Sequence, residues 1–146
     1  MKAVVYNTYG GPEVLKIQDV SIPKPKSNEV LIKVDSISLN PVDAKARRGG
    51  FRPMSDLLKF PRITGSDFAG IITETGNRVS GFKVGDAVYG WAQPLLNNGS
   101  AAEMVCISEK AIALAPNNIS LSEASAIPCG ALTSLISLRD LAPIRN

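Results

Sequence analysis

Histidine is absent from all 146 residues. That removes the commonest general base and the commonest metal ligand, and with them every serine-histidine and cysteine-histidine nucleophile system. Cysteine is scarce: Cys106 and Cys129 stand far apart, so neither a disulfide framework nor a CxxC redox pair is expected. The glycine signature of a dinucleotide fold, GxGxxG between a strand and a helix, is missing too. Gly10-Gly11 runs into Pro12, and Gly81 to Gly85 leads into a strand. No phosphate-loop lysine accompanies any glycine. No apolar run approaches the roughly 18 residues that a membrane span needs, and Met1-Lys2-Ala3-Val4-Val5-Tyr6 turns polar too soon for a signal peptide. A cytoplasmic location without membrane contact is expected. The formal charge of +3 comes without an arginine-aromatic stripe, zinc-finger spacing or recognition helix, so no nucleic-acid partner is expected.

What is present reads as one soluble-type domain. Apolar residues make up 45% and charged residues 20%, an ordinary balance for a chain that buries a core. Short strand-like segments fill the first hundred-odd residues. The best is Glu29–Leu39, where Val30, Ile32 and Val34 alternate with Leu31, Lys33 and Asp35. Others lie at 3–6, 15–20, 68–75, 87–89, 103–107 and 111–114. Glycines 65, 70, 76, 81, 85 and 90 between them suit tight turns and close backbone approach. Many short strands with turn signals predict a mainly β sandwich or barrel with short helices.

Two stretches predict helices. After Leu39, Asn40 suits the cap, Pro41 the first helical position and Asp43 the first turn, with Gly49-Gly50 closing it. The second region starts at Ser120, where Ser120-Leu121-Ser122-Glu123 has capping-box spacing. After Pro128 and Gly130 it resumes over 132–141, with Leu132, Leu135, Ile136 and Leu138 forming a broad apolar surface and Pro143 stopping it. That surface exceeds what a small barrel obviously covers.

Three stretches in fixed order carry a resemblance. They are Val30-Leu31-Ile32-Lys33-Val34 running into Ser38-Leu39-Asn40-Pro41-Val42-Asp43; Ile63-Thr64-Gly65-Ser66-Asp67-Phe68-Ala69-Gly70, continuing through Gly76 to Phe82-Lys83-Val84-Gly85-Asp86; and Gly99-Ser100-Ala101-Ala102-Glu103 with Leu114-Ala115-Pro116 and Leu132-Thr133. Together they resemble the zinc-free, quinone oxidoreductase branch of the medium-chain dehydrogenase/reductase family. The resemblance implies that residues 1–146 form its N-terminal, GroES-like domain, a twisted and partly open β-barrel. Full-length relatives follow this domain with a Rossmann nucleotide-binding domain and hold the hydride cofactor in the cleft between the two. The helix at 132–141 would be the junction toward that absent domain.

Zinc relatives place a cysteine in the helix after the second strand and Gly-His-Glu at the second motif. Here those positions read approximately Asp43 and Gly65-Ser66-Asp67. A catalytic zinc needs three protein ligands, and a structural zinc four, which two cysteines cannot supply. No zinc is expected.

The resemblance singles out five residues, each with a plainer alternative. Asn40 either faces the nicotinamide or substrate at the cleft floor or serves as a helix cap worth about 1 kcal/mol. Lys45 sits where some relatives carry a tyrosine. It is either the proton donor, if burial lowers its pKa toward neutrality, or a solvated charge. Ser66 and Asp67 either line the substrate pocket or hold the turn before the strand at Phe68. Thr133 either contacts the cofactor at the domain junction or bonds helix backbone. The basic residues Lys45, Arg47, Arg48, Arg52, Lys59 and Arg62 either attract an anionic substrate or form a solvated loop. Phe51, Phe60 and Trp91 are expected in loops.

The implied parent is an NADPH-dependent, zinc-independent oxidoreductase that reduces quinones or α,β-unsaturated carbonyls. This half supplies the acceptor side, with Asn40, Lys45 and Thr133 at the cleft, and is expected to bind NADPH weakly and be inactive alone. A non-enzymatic binding or structural role is the alternative within the family, and a free co-chaperonin-like ring is a third reading, disfavoured because no mobile chaperonin-binding loop is evident.

Overall fold

The computed structural model describes residues 1–52, 59–92 and 99–142. Two antiparallel sheets carry the fold. Strand β1 (Lys2–Tyr6) lies between β2 (Leu15–Asp19) and β4 (Arg62–Ile63) in a three-stranded sheet, and the second sheet runs β7 (Met104–Ser108), β3 (Glu29–Ser38), β5 (Asp67–Thr75), β6 (Ala87–Trp91), β8 (Ile112–Leu114). Helix α1 (Pro41–Arg47) follows β3. Helices α2 (Leu121–Ala124) and α3 (Ile127–Ile136) follow β8, and a wider helical turn continues α3 over Ser137–Leu141. The sheets do not close on each other: the fold is mainly β, as the strand pattern predicts, and partly open, as the resemblance implies.

Strand β3 is the axis of this architecture. It pairs with β5 along nearly its full length and with β7 over Glu29–Lys33. A central strand needs apolar residues on its buried face, and Val30 and Ile32 supply them. They pack with Phe68, Ile72, Val88, Val105 and Ile107 in one cluster. Burying side chains of this size stabilises by about 1.5–3 kcal/mol each. The pairing of β3 with β5 slips between Val34 and Ser36, and Gly70 sits beside that slip. A Cβ added there would lie 2.2 Å from the carbonyl oxygen of Lys33, so only glycine lets the two backbones meet.

The seven strands expected from the pattern all form, with ends shifted by a residue or two. β4 was not legible: two residues carry no periodicity, and its pairing with β1 is tertiary. Trp91 is the last residue of β6 and pairs with Asp67, so it is not in a loop. The second helical region differs more. Pro128 and Gly130 do not interrupt it, because the helix already starts at Ile127 and Pro128 falls in its first turn, where a missing N–H costs nothing. No helix among the described residues is long and apolar enough to cross a membrane.

Glycine contacts generate a paired prediction. Gly70→Ala should destabilise the chain by about 2 kcal/mol or more, because backbone atoms must separate. Gly81→Ala, whose nearest neighbour is a carboxylate oxygen of Glu109 at 3.7 Å, should stay within about 0.5 kcal/mol of the parent. Urea denaturation of both variants checks this.

Candidate functional site

Strand β3 ends at Ser38, and Leu39 leads into Asn40, the cap residue of α1 in extended conformation (φ −120°, ψ 155°). Pro41 opens the helix with its φ already set. Asp43 reaches back, its Oδ2 accepting the Asn40 backbone N–H at 2.8 Å, while the Asn40 carbonyl accepts the Asp43 N–H at 3.0 Å. The Asn40 carboxamide nitrogen turns inward, donating to Ser66 Oγ at 3.2 Å and Ser38 Oγ at 3.4 Å. Asn40 is half-buried.

Asp67 opens β5 with Ser66 just before it, and both are fully buried. Gly65 precedes them with φ +90°, and a Cβ on it would come 2.8 Å from Ser100 Oγ and 3.0 Å from the Ala101 nitrogen. That turn drives the next two side chains into the interior. Asp67 Oδ2 accepts the Ser38 hydroxyl at 3.2 Å and the Cys129 backbone N–H at 2.9 Å, and the Asp67 carbonyl accepts Ser100 Oγ at 2.9 Å. Cys129 is the third residue of α3, whose cap position, Ala126, offers no side-chain acceptor. The first N–H groups of a helix lack internal partners, and here a carboxylate from the opposite sheet meets one of them.

Four elements therefore converge on one polar cluster: Ser38 and Asn40, Asp43, Ser66 and Asp67, and Cys129. Two of its oxygens, Asp43 Oδ1 and Asp67 Oδ1, are buried without a partner. Burial raises the Asp43 carboxyl above its usual range, against the Asn40 N–H and the Ser66 hydroxyl, and the Asp67 charge pushes the same way as burial. The Cys129 thiol is also raised. Burial contributes most, then Asp67, with Asp43 adding to it, while a hydrogen bond with Thr133 acts against. Cys129 is half-exposed and stays a thiol near neutral pH.

The structure thus brings Asn40, Ser66 and Asp67 together and sets Thr133 one turn along α3 from Cys129. Ser66 and Asp67 serve interior bonds, to Asn40 and to Ser38 and Cys129 respectively. Thr133 is exposed, and its carbonyl accepts Ser137 Oγ at 2.8 Å. Lys45 is not in the cluster: it is exposed, with Nζ 4.8 Å from the centre of the Phe51 ring. The basic stretch is no solvated loop throughout. Arg62 and Arg47 are buried, Arg62 lies over Phe60 and Tyr9, and Arg47 Nε donates to the Gly10 carbonyl at 3.4 Å. Among the described residues no group of three or more His, Cys, Asp or Glu is arranged to hold a metal ion.

Sequence reasoning missed Ser38 as a site residue and Cys129 altogether. Its one available signal was negative: α3 begins without a capping side chain of its own, so an acceptor must come from elsewhere.

A carboxyl raised in the fold stabilises fully below its unfolded pKa, and that contribution is lost as pH rises through the folded pKa. The stability difference between Asp43→Asn and the parent should therefore grow in the variant's favour as pH rises from about 4, as read by urea midpoints. Asparagine keeps an oxygen for the Asn40 N–H. In the same variant the labelling midpoint of Cys129 with a maleimide should move to lower pH, because one neighbouring charge is gone; an unmoved midpoint would contradict the electrostatic account.

Comparison with known proteins places this geometry in context. Residues 26–117 match the alcohol dehydrogenase GroES-like domain. The chain is 41% identical over 134 residues to the NADPH-dependent alkenal/one oxidoreductase, chloroplastic, of Arabidopsis thaliana, covering 88% of this chain and 34% of that protein. It is 40% identical over 146 residues to the chloroplast envelope quinone oxidoreductase homolog of the same plant, covering 99% of this chain and 44% of the relative. Among solved structures it superposes on the quinone oxidoreductase from Coxiella burnetii with a TM-score of 0.89 at 37% identity, covering 95% of this chain and 44% of that one. The chain spans less than half the length of these relatives. Order of strands, the capped turn at Asn40 and the buried Ser66-Asp67 pair sit within that match; quinone and alkenal/one oxidoreductases are among the relatives, and the chain belongs to the alcohol dehydrogenase GroES-like domain family.

Proposed function

We propose that residues 1–146 are the acceptor-side domain of a zinc-independent reductase that transfers hydride from NADPH to a quinone or an α,β-unsaturated carbonyl. The observation that carries the reading is a juxtaposition on one side of the domain. The Asn40 carboxamide, anchored by two serines, lies near the start of α3. Along α3 and the turn after it, Leu132, Leu135, Ile136, Leu138 and Leu141 are 53%, 51%, 46%, 53% and 77% exposed. Apolar surface gathered in this way marks an interaction face, and a nucleotide-binding domain packed there encloses a cleft beside Asn40. The names of the relatives supply the reaction class: alkenal/one and quinone reduction, with NADPH in one of them.

The residues present fit the nicotinamide end of the cofactor. The Asn40 amide N–H groups are engaged by Ser66 and Ser38, so its side chain offers the carbonyl oxygen as acceptor, while the Thr133 hydroxyl can both donate and accept; together they match a carboxamide. When bound, NADPH supplies the hydride. Asn40 then orients ring or acceptor, Thr133 holds the ring at the junction, and Ser66 and Asp67 form the wall that fixes Asn40. Lys45 is the proton donor in this scheme only if its ammonium leaves the Phe51 ring. Zinc independence is supported by the lack of histidine in the sequence and by the finding that, among the described residues, Asp43, Asp67 and Cys129 are not arranged as a group that could hold a metal ion.

The test is a fusion of this chain to the nucleotide-binding half of the Coxiella burnetii relative. It should oxidise NADPH with a quinone or an enone, and added chelator should leave the rate unchanged. Asn40→Ala should lower kcat/KM by about ten- to a hundredfold. If Lys45 donates the proton, Lys45→Met loses about 10²–10⁴-fold. The 146 residues alone should show no saturable NADPH fluorescence change. Tight binding by this half alone, or a fusion that is inactive with both acceptors, contradicts the proposal.

A further inference from the structure

The two sheets join at a seam where β1 meets the residues leading into β7. Val4 N–H donates to the Ala101 carbonyl at 2.8 Å, Glu103 N–H to the Lys2 carbonyl at 3.1 Å, and Ala3 bridges Ala102. Beyond the seam β7 follows β3 toward Ser108, while β1 keeps to its own sheet. The gap that opens is bounded by the segment after β2, which returns along Pro23 to Lys26 and is held by the Glu29 N–H on the Lys26 carbonyl at 3.0 Å. It leaves a cavity of about 380 Å³, inside the range of small-molecule sites.

Its chemistry is divided. Val5 and Val105, both buried, with Ile63 and Met104, give an apolar floor. The rim carries Lys24, Lys26 and Glu29. Lys26 is engaged by Glu29, Nζ to Oε1 at 3.5 Å. Lys24 is exposed and makes no ion pair among the described residues. Cys106 lines the wall, its thiol pushed up to about 11, first by burial and then by Glu29 and Glu74. The wall at Cys106, partly buried and facing Glu29 and Glu74, disfavours negative charge, whereas the rim at Lys24 favours it.

We propose that this cavity binds a small amphiphile, with its apolar body on Val5, Ile63, Met104 and Val105 and a single anionic group, a carboxylate, at Lys24. The Cys106 end of the site lies away from the polar cluster at Asn40, while its other end, at Ile63 and Gly99, comes within three residues of Ser66 and next to Ser100. Cys106 pairs with Leu31 on β3, and seven residues of extended strand from there to Ser38 span about 23 Å. It rests on no assumption about hydride transfer, since neither NADPH nor a second domain takes part.

Decanoate is the probe, titrated into the ¹⁵N-labelled chain. Amide shifts should saturate and centre on Lys24, Ile63, Val105 and Cys106. Decanol should bind about three- to fivefold more weakly, the worth of one exposed charge pair, and decyltrimethylammonium more weakly still. Lys24→Gln, an exposed change that leaves the floor intact, should abolish the preference of decanoate over decanol. Bound decanoate should also slow alkylation of Cys106 and leave Cys129 unaffected. No saturable shift up to the solubility of decanoate, or shifts centred on Leu132 and Leu135, overturns the site. Equal binding of decanoate and decanol in the parent overturns the assignment of an anionic ligand.

Discussion

The carboxylate of Asp67 is the interaction on which the arrangement of this domain depends. It is fully buried, and Oδ2 holds the Ser38 hydroxyl of β3 and the Cys129 N–H of α3 at once. A buried charge is costly unless hydrogen bonds meet it. Here they come from a strand end and from a helix start that has positive partial charge and no cap of its own. The two elements offset part of each other's cost, with Asp67 Oδ1 left without a partner. Removing the carboxylate would leave an orphaned helix N–H, while removing the helix would leave a carboxylate with fewer donors. That mutual requirement sets where α3 begins, and so where its apolar face points.

The same constraint explains why the cluster reads as a built site and not as a patch of surface polarity left over from folding. Asn40 is locked twice, through its backbone by Asp43 and through its carboxamide by Ser66 and Ser38. Side chains fixed by packing and by further hydrogen bonds are those that position ligands well. Two buried carboxyl groups lie behind it, each with one oxygen lacking a partner, and burial first, then their charges, raise the Cys129 thiol above its usual value. For a domain proposed to handle soft electrophiles, a neighbouring cysteine held as the unreactive thiol is consistent with long survival of the site.

How much of this was legible in the sequence depended on range. Local signals worked: Asn40-Pro41-Val42-Asp43 announced the start of α1, Ser120 to Glu123 the start of α2, and the alternation around Val30 and Ile32 the central strand. Ser66 and Asp67 were legible as a pair but not in their partners. The bond that matters most joins Asp67 to Cys129, 62 residues away, and no periodicity encodes it. Pro128 and Gly130 misled because proline signals a break inside a helix yet fits its first turn. The direction of Lys45 was also beyond reach, since it is decided by the Phe51 ring that happens to lie near it.

Hydrogen exchange at the Cys129 amide tests the central claim most directly. In the parent chain this amide should be protected together with the β3–β5 ladder, because the bond to Asp67 ties the helix start to the sheet. In Asp67→Ala it should lose protection along with the first turn of α3, while the β3 amide of Ile32 and the Ile72 amide, which donates to the Asp86 carbonyl at 3.0 Å, keep theirs. Unchanged protection of Cys129 in that variant would contradict the account, since α3 would then be anchored by something other than the buried carboxylate.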